Sequence, residues 1–389
     1  MNSKERIYLD HAATTPLKKE VLDAMMPYFI DKFGNASSVH AYGRESRKVI
    51  EDARQQVADA IGADTNAIYF TSGATEADNW AVRGYAYANQ KKGKHIITST
   101  IEHHAVLHVF EELKSEGFDV TFVPVDDKGV IRMDELEKAM REDTILVSIM
   151  MANNEIGTIQ PVKEIGALCH EHGVAFHTDA VQAIGAVPVD VKDMNIDMLS
   201  LSAHKMYGPK GVGALYVKKG IRLKNLIIGG AHEKGKRPGT YNHVGIVGLG
   251  AAIELAVKNM ESESKRIATL RDKLIDGIVA RIPEVVVNGH REMRLPNNVN
   301  ISFKYIEGEA LLLSLDLVGI AASSGSACTS GSLDPSHVLL AIGLDHATAH
   351  GSLRLTLGHS TTEADIERCI DELCVIVERL RKMSPLYNG

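Results

Sequence analysis

Cysteine is scarce in this chain, with four in 389 residues: Cys169, Cys328, Cys369 and Cys374. That is too few for a disulfide framework over such a length. Cys369 and Cys374 fall five apart in a helical pattern, about 140° around the axis, so they share no metal-binding face. Cys169, His170 and His172 also lack the i, i+4 pair of a helical metal site, and half-buried helix positions account for them better. Long apolar runs are missing; none approaches the roughly 20 residues of a membrane span. Met1-Asn-Ser-Lys-Glu-Arg6 leads straight into Ile7-Tyr-Leu9 with no signal-peptide core, so a soluble, cytoplasmic protein is expected. Basic excess is absent: the net charge of −7 and the lack of a basic block argue against nucleic acid as the main partner. No P-loop occurs, and Gly248-Leu-Gly250 opens no strand–turn–helix unit, so a dinucleotide fingerprint is lacking too. Neither an internal repeat nor a low-complexity tract is present.

What is there is an ordinary globular composition, 44% hydrophobic and 24% charged, ample for a core. After a helix pattern over 18–33 and another over 42–61, the chain alternates. Strands are expected at 67–71, 95–99, 120–125, 144–151, 174–177, 199–202 and 213–217. Helices are expected between them, at 75–89, 105–116, 133–140 and 162–172. That alternation argues for a mostly parallel sheet with helices on both faces. Near Gly245 the texture changes, and a long charged helix over 247–282 reads as a bridge to a second domain. The remainder mixes strands (298–303, 320–323, 352–356) with helices (309–317, 335–342, 363–382), which suggests a smaller α+β domain.

Four stretches carry chemistry. Leu199-Ser-Leu-Ser-Ala-His-Lys-Met-Tyr-Gly208 is a strand that breaks into a polar turn holding Ser202, His204 and Lys205. A lysine at a strand mouth is placed to take an aldehyde cofactor as a Schiff base, although a surface lysine in a Gly/Pro turn reads the same alone. Tyr69-Phe-Thr-Ser-Gly-Ala-Thr-Glu-Ala-Asp-Asn79 is a strand, glycine turn and helix start, hence either an anion cradle with Thr75 or a plain N-cap. In Val174-Ala-Phe-His-Thr-Asp-Ala-Val-Gln182, Asp179 ends an apolar strand where open α/β sheets bind ligands. It either holds a pyridinium nitrogen or caps a helix. Glu102-His-His-Ala105 offers His103 as a stacking, proton-moving imidazole or as a surface loop residue.

Taken in order, Tyr8-Leu-Asp-His-Ala-Ala-Thr-Thr-Pro16, Thr71 to Asn79, Asn153-Asn-Glu-Ile-Gly-Thr158, His177 to Gln182, Ser202-Ala-His-Lys205 and Arg237-Pro-Gly-Thr240 resemble the motifs of the cysteine desulfurases. These are pyridoxal-phosphate enzymes of the class-V aminotransferase group, and the resemblance covers essentially the whole chain. It implies a fold-type I architecture: an α/β large domain with a mostly parallel seven-stranded sheet, over residues 15–260, and a smaller α+β domain from 1–14 and 261–389. It implies Lys205 as the cofactor-bearing lysine, and Ala74, Thr75, Ser202 and His204 around the phosphate of pyridoxal 5′-phosphate. His103 would stack on the ring, Asp179 pair with its nitrogen, and Gln182 and Asn154 meet its oxygen side. Thr240 would reach the phosphate of the other subunit, which implies a homodimer. Where the family has Arg-Ser-Gly-Thr, this chain has Arg237-Pro-Gly-Thr240, which leaves the threonine in place.

Ala322-Ser-Ser-Gly-Ser-Ala-Cys-Thr-Ser-Gly-Ser-Leu-Asp-Pro335 sets Cys328 among small residues that cannot anchor a core, so an exposed, mobile thiol is expected over about 322–336. It resembles the long catalytic loop of the desulfurases, whose cysteine carries a persulfide. The resemblance implies L-cysteine as substrate, Arg354 and Asn35 as its binding residues, alanine as product, and a scaffold protein for iron–sulfur assembly or another sulfur acceptor as partner. No intrinsic metal is expected; Cys328 is expected only as a transient cluster ligand through its persulfide. A class-V aminotransferase, a selenocysteine lyase and a non-catalytic scaffold-binding protein are the alternatives. The Cys-Thr-Ser-Gly-Ser-Leu run and the ending Leu380 to Gly389 lean toward the nitrogen-fixation type over the housekeeping type.

Overall fold

The computed structural model describes residues 6–324, 335–385 and 387. Its strands are β1 (Ile7–Tyr8), β2 (Ile68–Thr71), β3 (His95–Ser99), β4 (Asp119–Val123), β5 (Thr144–Ser148), β6 (Ala175–Asp179), β7 (Met198–Ser202), β8 (Gly213–Val217), β9 (Val285–Val287), β10 (Asn298–Phe303), β11 (Ile320–Ala321) and β12 (Ser352–Thr356). The main sheet runs β2-β8-β7-β6-β5-β3-β4, and every pair is parallel except the two made by β8. β3, β5, β6, β7 and β8 are buried along their whole length, as strands covered on both faces must be. Strand alternation sorts the side chains: Leu199 and Leu201 join the core on one face, and Met198 joins Trp80, Phe110 and Leu215 on the other. The α/β class with a seven-stranded, mostly parallel sheet is therefore as expected.

A second body of structure follows. β12, β10 and β9 form an antiparallel sheet, and β1 pairs parallel with β11. Val299, Ile301, Phe303, Leu353 and Leu355 make its core with the helix Glu363–Met383 through Ile370 and Leu373. The helix His243–Arg281 enters both cores, with Ile246, Leu249 and Ile253 in one and Ile267, Leu274 and Ile278 in the other. Its 39 residues span about 58 Å. Where it crosses the helix Ala41–Ala60, a Cβ on Gly250 would lie 2.9 Å from the Ala53 backbone, so the crossing requires glycine.

The helix expected over 18–33 is two, Lys19–Met25 and Pro27–Ile30, because Pro27 has no N–H to continue the first and suits the start of the second. β9 was not foreseen; three half-buried valines in a row give no alternation to read. Among the described residues no helix is long and apolar enough to cross a membrane.

The segment from Leu9 to Thr15 straps the two bodies together. Leu9 N–H donates to the Ala321 carbonyl at 2.9 Å, and Ala12 N–H to Thr356 Oγ1 at 2.8 Å. On its other side Thr15 donates from N and Oγ1 to the His204 carbonyl at 3.0 and 2.8 Å.

Candidate active site

The parallel strands β2, β3, β5, β6 and β7 all end toward one cavity of about 590 Å³, within the roughly 300–1,000 Å³ usual for small-molecule sites. β7 gives way at Ser202 to a single tight turn, Ala203–Lys205. Lys205 Nζ donates to the carbonyls of Ala12 and Ala13 at 2.5 and 2.7 Å, so the strap fixes the amine in the cavity wall. Asp179 is the last residue of β6, and its Oδ1 accepts the Val181 N–H at 2.9 Å. Burial pushes its carboxyl up to about 6, against the pull of that N–H and of Lys205. His103 caps the helix His104–Ser115, with Nδ1 accepting the Ala105 N–H at 3.1 Å. Burial, then the charge of Lys205 and the neighbouring histidines, push this ring down to about 4. It is thus neutral at physiological pH, with its proton on Nε2.

The helix Ala74–Asn89 opens on this cavity with no side-chain cap. Its first N–H groups therefore have no partner within the helix. A Cβ on Gly73, just before it, would meet nothing within 4 Å, so the backbone there is bare to the cavity and can cradle an anion. Ser202, His204, Lys210 and Gly211 line the same space. Burial, followed by the charges of Lys205 and Lys210, pushes His204 down to about 4. Gln182 Nε2 donates to the Ala12 carbonyl at 3.1 Å. Arg354, on β12, donates from Nη2 to Asp10 Oδ1 and from Nη1 to the Asn154 carbonyl, both at 3.0 Å. Each Nη keeps a second N–H, and the side chain lines the cavity, which leaves donors for a carboxylate there. An uncapped helix start for a phosphate, a buried carboxyl for a ring nitrogen and an amine for an aldehyde face one space. That donor set fits pyridoxal 5′-phosphate.

The cavity thus collects Ala74, Thr75, His103, Asn154, Asp179, Gln182, Ser202, His204, Lys205 and Arg354. Asn35 and Thr240 do not line it; both are exposed, and Asn35 Oδ1 accepts the Ser37 N–H at 2.9 Å. Cys328 lies outside the described residues. The flanking residues are pinned beside the cavity. Ser323 and Arg354 exchange backbone bonds of 3.1 and 2.7 Å; Ser336 Oγ donates to Glu155 Oε2 at 2.5 Å, and His337 Nε2 lies 3.0 Å from the Glu102 carbonyl. Two features escaped sequence reasoning. The carbonyls of Ala12 and Ala13 carry no side-chain signal at all. Asp78 does carry one, since it stands four residues after Ala74 and so shares the helix face that meets the cavity. Asp78 is 1% exposed, with Oδ1 3.7 Å from His177 Nε2 and the Ser200 hydroxyl beside its carboxyl. Burial and then the charge of Asp179 push it well above the usual carboxylate range.

Residues 7–369 match the family Aminotransferase class-V. A curated relative, "Cysteine desulfurase IscS" from Clostridium botulinum, is 58% identical over 386 residues, which is 99% of this chain and 97% of that one. A solved structure described as "NIFS-LIKE PROTEIN" superposes with a TM-score of 0.91 at 39% identity, covering 96% of this chain and 100% of its own. Another, "SspA in complex with cysteine", reaches a TM-score of 0.81 at 40% identity over 90% of this chain and 98% of that one. With a cavity whose donors fit such a cofactor and a match over nearly its whole length, the chain belongs to the class-V aminotransferase family.

Proposed function

We propose that this protein is a cysteine desulfurase, which moves sulfur from L-cysteine to Cys328 and leaves L-alanine. The observation that carries the reading is the convergence of Lys205, Asp179, His103 and Arg354 on one cavity; relatives named for this activity, and one solved with cysteine, support it. Pyridoxal 5′-phosphate, when bound, supplies the electron sink for a carbanion at the substrate Cα. The uncapped start of the helix Ala74–Asn89, with Thr75, Ser202 and His204, would hold its phosphate. Asp179 would keep a proton on the ring nitrogen, and His103 would pack against the ring. Arg354 clamps the substrate carboxylate, turned by its bond to Asp10. Lys205 takes the Cα proton.

The last step belongs to Cys328. Its thiolate attacks the substrate sulfur, the C–S bond breaks with its electron pair staying on carbon, and that carbon gains a proton. The balance is cysteine plus one thiol giving alanine plus one persulfide. Cys328 stands four residues beyond Ser324 in sequence, a reach of at most about 14 Å. Ser323 is bonded to the strand of Arg354, which supports delivery of the thiol to this cavity. An acceptor protein for iron–sulfur assembly then takes the sulfur. Residues 15–260 are read as the cofactor-binding domain, and 1–14 with 261–389 as the smaller one; the core of Ile7, Leu9, Ile267 and Phe303 supports the smaller one, while Leu295, Val338, Leu339, Ile342 and Ala349 pack into the larger core. A cytoplasmic homodimer completes the proposal. It is supported by Phe29, Ile30, Phe33, Val39 and Ile228, large apolar side chains left exposed in the region of Asn35 and Thr240.

The test measures sulfide and alanine formed from cysteine by the wild type, Lys205→Ala and Cys328→Ala, with sedimentation for the dimer. Both variants lose sulfur release, and only wild type gains the mass of one sulfur. Sulfur release by Cys328→Ala at the wild-type rate would sink the persulfide step. Transamination in its place would mark an aminotransferase, and turnover of selenocysteine alone a selenocysteine lyase.

A further inference from the structure

Cys328 lies four residues after Ser324 and eight before Ser336, so whatever holds those two ends bounds where the thiol can go, at up to about 3.6 Å per residue. The near end belongs to the smaller body, where Ser323 exchanges backbone bonds with Arg354 on β12. The far end belongs to the other: Val338, Leu339 and Ile342, just beyond Ser336, pack into the larger core. One turn, 153–157, reaches both. Asn153 Oδ1 accepts the N–H groups of Glu155 and Ile156 at 2.9 and 3.0 Å, and its Nδ2 donates to the Ile101 carbonyl at 2.9 Å. Asn154 lines the active-site cavity, and its carbonyl holds Arg354. The Glu155 carbonyl accepts Nδ2 of Asn298 and of Asn300, on β10, at 3.1 and 3.0 Å. Gly157 sits at φ 75°, and a Cβ there would stand 2.6 Å from the Asn298 carboxamide, so glycine closes the turn.

These backbone bonds leave the Glu155 side chain unexplained. It is 6% exposed, does not line the cavity, and accepts the Ser336 hydroxyl on Oε2 at 2.5 Å. A carboxyl is costly to bury without such a partner. Ser336 Oγ also accepts the N–H groups of Val338 and Leu339 at 3.1 and 3.3 Å, which caps the helix His337–Ala341. Burial raises the Glu155 carboxyl to about 7, while the Ser336 hydroxyl and then the charge of Arg354 pull it back. One carboxyl thus feels both the anchor of the far end and the group that faces the substrate. Pro335 precedes Ser336, and its ring removes one backbone rotation on the Cys328 side of that anchor.

We propose that Glu155 is a positioning residue for the attacking thiol: it holds Ser336 from the same turn that holds Arg354, and so sets the far end of the Cys328 segment against the bound substrate. The inference rests on the desulfurase reading, in which Cys328 attacks the substrate sulfur. Because Glu155 stands outside the cavity, cofactor binding and proton transfer at the substrate Cα do not depend on it. Sulfur transfer does.

The experiment compares two rates in holoenzyme. One is the loss of the α-proton signal of L-alanine in D2O, followed by NMR, which calls on Lys205 and Arg354 but on no thiol. The other is a single turnover with saturating L-cysteine, read as the mass of one sulfur gained by the protein. Glu155→Ala slows the sulfur gain at least about fivefold and leaves alanine exchange within about twofold of wild type. Glu155→Gln, whose Oε1 can still accept the Ser336 hydroxyl, recovers most of the lost rate. Ser336→Ala reproduces Glu155→Ala, and the two together cost no more than either alone, as for partners in one bond. Wild-type sulfur gain in Glu155→Ala, or a loss that falls equally on both rates, overturns the positioning role. Should Glu155→Ala not fold, Ser336→Ala decides by the same two rates and the same two outcomes. Cys328→Ala separates this inference from the reading beneath it. If that variant still forms alanine from cysteine at the wild-type rate, the persulfide step is wrong; if it does not, while Glu155→Ala gains sulfur normally, the positioning role alone is wrong.

Discussion

Arg354 carries three duties on one guanidinium. Two of its donors are taken, by Asp10 and by the Asn154 carbonyl, and these set the angle at which the remaining Nη hydrogens meet the cavity. A lysine would keep the charge and lose the fork, so it could hold Asp10 or the substrate carboxylate but not both. Arg354→Lys should raise KM for cysteine by roughly 10- to 100-fold, the scale of one charge-assisted bond of about 1.5–3 kcal/mol. Steady-state kinetics beside a melting curve checks it, because an unchanged KM in a folded variant would release Arg354 from substrate binding. Asp179 is legible as a different kind of residue. Its place after an apolar strand was readable from sequence, but the same reading allowed a helix cap, and its Oδ1 does accept the Val181 N–H two residues on. The bond closes a turn, 181–186, and no helix follows Asp179, so the cap reading does not hold. Ala12 and Ala13 were not readable at all, because they act through carbonyl oxygens that every residue has.

Among the elements, the turn 232–235 stands apart. Glu233 and Lys234 both sit in the left-handed region, at φ 48° and 58°, ahead of Gly235 at 75°. What holds them there is Arg54, in the helix Ala41–Ala60, paired with Glu233 at 2.7 and 2.8 Å, both side chains being 3% exposed or less. Phe70 N–H on β2 adds a bond of 2.9 Å to the same carboxylate. The turn leads into Arg237, whose bond to Glu76 at 2.8 Å ties this segment to the helix at the anion cradle. Removing one partner of such a pair strands a buried charge, a loss of roughly 3–5 kcal/mol. Glu233→Gln should show that loss in denaturant melts, together with weaker cofactor retention; a variant as stable as wild type would mean that Arg54 finds another partner. None of this was visible beforehand, since a glutamate in a Gly-rich loop has the look of a solvated charge. The main-sheet strands were visible because each repeats an apolar pattern that burial on both faces requires. β9 was lost because its three half-buried valines show no alternation.

For the molecule as a whole, two sets of buried groups pull against each other with pH. Burial raises Glu102 to about 8, Glu155 to about 7 and Asp179 to about 6, so the fold binds these protons more tightly than the open chain does. Their contribution is lost as pH rises through those values. Burial lowers His11, His103 and His204 to about 4 and His177 to about 3, so the fold keeps them neutral and loses stability as pH falls below their ordinary value, roughly 6.5. The two sets balance between about pH 6 and 7, where cofactor-free protein should melt highest. Calorimetry should show the midpoint falling on both sides, and Glu102→Gln, which fixes the neutral form, should flatten the limb above pH 7. A midpoint still rising toward pH 8.5 would contradict the assignment. The strap has a consequence of another kind, in the order of folding. Lys205 is held by Ala12 and Ala13, and their segment is held by Ala321 and Thr356. The seat of the lysine is therefore closed by bonds between segments as much as 344 residues apart, so it is among the last parts of the fold to form.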